Sequence, residues 1–121
     1  MTSSNINSKT IARIAAVQVL YQYKPEDTNL ALITQQIIQF YQDEKISNNT
    51  LNNTNEAIKL PLNVKYLNLL LHSAVQNLNQ IDKLISKYLM PNWHIDNLPI
   101  LLRAILRVAI AELQFVKNVP V

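Results

Sequence analysis

Residues 8–23 read SKTIARIAAVQVLYQY. Ala12, Ala16, Val19, Leu20 and Tyr23 recur at helical spacing, and Ile11, Ala15 and Val17 widen the stripe. So broad an apolar band implies burial on more than one side of one helix. Ser8 is a residue type that caps helix starts, and Pro25 forbids continuation. The spacing therefore predicts a central helix from Ser8 to about Tyr23.

Working outward, the same period repeats four more times. Leu30, Ile33, Ile37, Phe40 and Tyr41 line one face of a second helix, capped by Asp27 or Thr28 and ending near Gln42. Asn63 can cap a third, carrying Leu67, Leu70, Leu71, Ala74, Val75 and Leu78. Ile81, Leu84, Ile85 and Tyr88 mark a fourth, ended by Pro91. A fifth begins near Pro99, a residue suited to the first helical position, and is apolar around most of its circumference to Val116. Its polar breaks are chiefly Arg103, Arg107, Glu112 and Gln114. A helix of that kind needs partners on several faces. No segment alternates long enough to argue for a strand, so the expected fold class is all-α. The polar arm 1–8 and the Asn/Thr-rich run at about 43–60 read as irregular, leaving one domain over 9–121.

Composition narrows the functions. Glycine is absent, which excludes glycine-rich phosphate loops and argues against hairpin-rich folds. Cysteine is absent too, which removes disulfides and thiolate chemistry. With 121 residues, 49% of them hydrophobic, the chain can build a core without staples. No stretch reads as a signal peptide or a membrane span, so a cytoplasmic protein with no membrane contact is expected. The net charge of +3 permits nucleic-acid binding without demanding it.

No catalytic set stands out, and no enzyme, metal or cofactor is expected. His72 lies among leucines and His94 follows Trp93 in a turn, without ligand-spaced partners. Trp93 reads as packing between two helices. The candidate binding residues are basic. Lys9 and Arg13 are four apart and share a face at the start of the first helix, where cations oppose the helix dipole. A helix that accepts that cost suggests an anion held there; the plainer reading is a solvated surface pair. Lys83 and Lys87 repeat the spacing on the fourth helix. Tyr88 beside them could stack a base, although it also continues the apolar series into the core.

Three motifs then carry a resemblance. Ala12-Arg13-Ile14-Ala15-Ala16-Val17-Gln18-Val19-Leu20-Tyr21 resembles the A-R-x-x-A-V-Q-x-L-Y signature of the NusB family. Asn92-Trp93-His94-Ile95-Asp96-Asn97-Leu98 resembles its N-W-x-x-x-R-L turn. Ile105 to Leu113 resembles its I-L-R-x-A-x-x-E-L, followed by Asn118-Val119-Pro120. Together they cover residues 9 to 121.

The resemblance implies a bundle of two packed three-helix sub-bundles, the second incomplete here, because family members continue past the V-P motif with further helices. It implies transcription antitermination, through binding of boxA-type single-stranded RNA in ribosomal RNA leaders. The RNA would be bound jointly with NusE, a small-subunit ribosomal protein, and the RNA polymerase elongation complex would be engaged indirectly. Lys9 and Arg13 would fall in the RNA-binding region, with Lys87 and Tyr88 as further candidates; Tyr21 and Arg103 would lie on the NusE-facing surface. Thr10, Ile11 and Asn97 stand where the family commonly has basic residues. Charge-assisted bonds from Lys9 and Arg13 contribute about 3–6 kcal/mol together, against about 8 for micromolar affinity. RNA binding by the chain alone should therefore be weak. The alternatives are a helical interaction module that self-associates through the fifth helix, and the NusB-like domain of a ribosomal RNA methyltransferase.

Overall fold

The computed structural model describes residues 7–27, 29–42, 61–89 and 91–116. Among these residues five α-helices follow in order: α1 (Ser8–Gln22), α2 (Leu30–Gln42), α3 (Val64–Gln76), α4 (Leu78–Tyr88) and α5 (Ile100–Ile110). A 3-10 turn (Ile95–Asn97) precedes α5, and a π turn (Ala111–Phe115) follows it. The described residues contain no strand, as the all-α reading requires. The expected loop at 43–60, residues 1–6 of the polar arm, Thr28 and the Val119-Pro120 motif lie outside the described residues.

α1 is the central helix. It packs against α2, α3 and α5, and it buries Ile11, Ala12, Ala15, Ala16, Val19 and Leu20. α5 brings Ala104, Val108 and the following Ala111 into the core. Small residues on both helices let their backbones approach closely. α3 supplies Leu67 and Leu70 and α4 supplies Ile81, all fully buried. Each such side chain contributes about 1.5–3 kcal/mol by leaving water. α4 packs on α3 and α5, and the π turn packs on α3.

Asparagine does the capping. Asn63 Oδ1 accepts the Tyr66 N–H at 2.9 Å, as its position suggests. The α1 cap is Asn7, not Ser8: Asn7 Oδ1 accepts the Lys9 N–H at 2.7 Å. α2 is capped by Asn29, whose Oδ1 accepts from Leu32 at 3.2 Å, whereas Asp27 belongs to the preceding turn and bonds to Lys24 O. Pro99 is the cap residue of α5, with φ −53° and ψ 143°, and Ile100 is the first helical residue. α4 stops at Tyr88, ahead of Pro91.

Three burial expectations are corrected. On α2, Ile38 and Thr34 turn inward while Phe40 is 56% exposed, because the helix packs on α1 along Ile33, Ile38 and Tyr41. Tyr88 is 79% exposed rather than core, since Ile81 and Ile85, one turn apart, already fill the inward face of α4. Trp93 is half exposed, and the turn after it is held by bonds between His94 and Asn97. The His94 N–H donates to Asn97 Oδ1 and the Asn97 N–H donates to His94 O.

The last helix is not α-helical to its end. Beyond Ile110 the backbone widens, and the Val116 N–H bonds to Ala111 O, five residues back. Ile100, Leu101, Leu102, Ile105 and Leu113 are left exposed.

Candidate nucleic-acid interface

Lys9 and Arg13 lie together near the start of α1, as their spacing predicts, and neither projects freely into solvent. Arg13 Nε donates to both carboxylate oxygens of Glu112, at 2.9 and 2.8 Å. Glu112 sits in the π turn with its side chain only 14% exposed. The Tyr66 hydroxyl, from α3, donates to the same carboxylate. The Tyr66 ring lies under both cations, with Lys9 Nζ 5.0 Å and Arg13 Cζ 5.9 Å from its centroid. Three elements distant in sequence thus meet at one basic–aromatic cluster.

Sequence reasoning did not single out Tyr66 or Glu112. Glu112 reads as a polar break in an apolar helix, and its distance from Arg13 along the chain hides the pairing.

The electrostatics follow from this geometry. Burial works against the charge on Arg13, but the hydrogen bond and attraction to Glu112 outweigh it and hold the guanidinium above its ordinary range. Burial pushes the Tyr66 phenol up, and the adjacent carboxylate raises it further. At neutral pH the Arg13 guanidinium is therefore charged and the Tyr66 phenol neutral. Because Glu112 engages Nε, the terminal NH2 groups of Arg13 remain outside the pair, and its side chain is 36% exposed.

The second basic candidate sits on α4. Lys87 Nζ lies 5.7 Å from the exposed Tyr88 ring. Lys83 lines a shallow polar groove with Asn79, Asp82 and Ser86. Asp82 is itself held by Arg107, through bonds of 2.9 and 2.8 Å that tie α4 to α5.

Tyr21, 52% exposed, lines an apolar groove between α1, α2 and α5 with Val17, Ile37, Phe40 and Leu101. Arg103 is not in that lining. Its NH2 donates to Leu98 O at 3.1 Å and its NH1 lies 3.9 Å from Asp96, which fastens the turn before α5. Among the described residues no group of three or more His, Asp or Glu is placed to hold a metal. No described helix is long and apolar enough to cross a membrane.

The fold and this site define an all-helical protein built round one central helix, with a basic patch mounted on that helix's first turns. The model of the NusB family matches residues 10–121. The chain belongs to the NusB family. Among its curated relatives, the transcription antitermination protein NusB of Rickettsia massiliae (strain Mtu5) is 38% identical over 121 residues, covering 99% of this chain and 75% of the relative. The proteins of the same name from Rickettsia felis and Rickettsia bellii are 38% and 35% identical, at the same 99% of this chain. Among solved structures, a chain in the crystal structure of a plectonemic RNA supercoil superposes with a TM-score of 0.68 and 26% identity. That match covers 93% of this chain and 70% of the other.

Proposed function

We propose that this chain serves transcription antitermination by binding boxA-type single-stranded RNA of ribosomal RNA leaders together with NusE, without catalysis. The observation that carries this reading is the pairing of Lys9 and Arg13 on one face of α1, held over the Tyr66 ring. Lys87 and the exposed Tyr88 supply a second contact, the aromatic face stacking a base beside a cation. The groove around Tyr21, Phe40 and Leu101 receives NusE, and Arg103 fixes the turn at the edge of α5 that borders it. Contact with the RNA polymerase elongation complex then runs through NusE.

The test is the affinity for boxA RNA with NusE present, for wild type and for Lys9→Ala/Arg13→Ala. The double variant is expected to bind at least tenfold more weakly, with a salt slope flatter by about 0.7 for each lost phosphate contact. Equal affinities would overturn the assignment of the basic face.

A second reading is favoured by the exposed side chains of α5 and the π turn after it, Ile100, Leu101, Leu102, Ile105 and Leu113. It makes the chain a helical module that pairs with its own copies along α5. Sedimentation over a concentration series separates the two: a weight-average mass that stays monomeric excludes self-association.

A further inference from the structure

We infer that Tyr66 is a positioning residue for the basic pair, a fixed platform that aims Lys9 and Arg13 at RNA phosphates; this rests on the RNA-binding reading above. Two cations four residues apart on a helix repel each other, and each long side chain loses rotamer freedom when a phosphate immobilises it. Affinity improves where that ordering is completed before the ligand arrives.

Tyr66 meets the requirement. It is 7% exposed and set in α3, so its ring is held by the core. Its hydroxyl is anchored on Glu112, which also takes Arg13 Nε. The ring centroid lies 5.0 Å from the Lys9 ammonium and 5.9 Å from the Arg13 guanidinium carbon. One aromatic ring attracts both cations and offsets their repulsion. Arg13 is gripped by its inner nitrogen, so its two terminal NH2 groups are free of that pair and available to a phosphate in the forked geometry guanidinium prefers. Tyr66 itself is too buried to stack a base, and its part is played through the two cations.

Positioning and direct contact leave different signatures. Removing a cation that touches phosphate lowers the number of counterions released, whereas removing the platform leaves that number unchanged. The experiment compares wild type, Tyr66→Phe, Tyr66→Leu and Lys9→Ala, using a boxA-type RNA oligonucleotide across a salt series with NusE present. In parallel, the ring-current shift of the Lys9 Hε protons is read by NMR in the free proteins.

Tyr66→Leu is expected to weaken binding about two- to fivefold, the worth of an exposed cation–π contact, with the salt slope unchanged and the Lys9 shift lost. Tyr66→Phe is expected to keep the shift and most of the affinity. Lys9→Ala is expected to flatten the slope. Unaltered affinity in Tyr66→Leu, equal losses in Phe and Leu, or a flattened slope in Tyr66→Leu each overturn the inference. So does the absence of a ring-current shift on Lys9 in wild type, a measurement that stands even where Tyr66→Leu does not fold. If wild type keeps the shift yet fails to bind the oligonucleotide, the RNA reading has failed and its aim at phosphate falls with it, while the geometry of the platform stands.

Discussion

Arg13 on α1 and Glu112 in the π turn are 99 residues apart in the chain and are joined by Nε hydrogen bonds of 2.9 and 2.8 Å. The bond closes the bundle between its first helix and the last turn described. It also decides which part of the guanidinium faces outward.

Removing the carboxylate should therefore be felt in stability. Glu112→Ala leaves both Arg13 Nε and the buried Tyr66 hydroxyl without their acceptor. A loss of about 1–3 kcal/mol is expected, toward the lower end because Arg13 is partly solvated. Glu112→Gln should lose less, since its amide oxygen still accepts from Tyr66. Urea unfolding measures both, and an unchanged midpoint in Glu112→Ala would show that the closure contributes nothing.

Stability should also fall at alkaline pH. The Tyr66 phenol is raised above its ordinary value of 10.0 in the folded state, by burial first and then by Glu112. The unfolded chain therefore releases this proton before the folded chain does, and stability declines as pH rises from about 10 through the higher folded value. Below pH 10 the contribution is fully present. Unfolding free energies at pH 9 and pH 11 should differ more for wild type than for Tyr66→Phe, and equal differences would refute the linkage.

Arg107 and Asp82 make the corresponding tie between α5 and α4, with side chains 16% and 25% exposed. Asp82→Ala strands a mostly buried guanidinium and is expected to destabilise by about 2 kcal/mol. Arg107→Met keeps the apolar stem and leaves only the better-solvated carboxylate unpaired, so it should cost less. A double-mutant cycle should return a coupling of about 1–2 kcal/mol, and a coupling near zero would mean that the two helices are held by packing alone.

The asparagine caps are not equivalent. Asn63→Ala should cost about 1 kcal/mol, because α3 packs against α1, α4, α5 and the π turn and cannot fray without disturbing the core. Asn7→Ala should cost less, since the first turn of α1 can open locally. Amide exchange separates them: the Tyr66 and Leu67 amides should quicken in the first variant, while only the amides around Lys9 quicken in the second.

How much of this was readable in advance depends on how far apart the interacting residues lie. The helices were legible because periodicity is local: Ala12, Ala16, Val19 and Leu20 announce a buried face, and they are buried. Asn63 was legible as a cap for the same reason. Asn7 was missed because Ser8, one position later, is an equally good capping residue, and only the Lys9 N–H decides between them. Tyr88 misled because a helical repeat says which side a residue lies on, not where the covering neighbour ends. The pair Lys9 and Arg13 could be found by spacing alone. Tyr66 and Glu112, which hold that pair, could not, because contacts between α1, α3 and the π turn leave no mark on any window of sequence.

The π turn has one consequence for chain length. Ala111 and Val116 are both buried, at 0% and 7%. Five residues apart on an α-helix they would point about 140° away from each other, and the wider turn brings them onto one side. That end of the bundle therefore carries one residue more than the inward face needs, and the exposed Leu113 and Gln114 are where the surplus is accommodated. Deleting either is expected to restore the four-residue spacing of an ordinary helix and to keep Ala111, Glu112 and Val116 facing inward. Removing a residue from an α-helix turns everything beyond it by about 100°, yet this one is expected to lose a residue at that point with its core-facing side chains still in place.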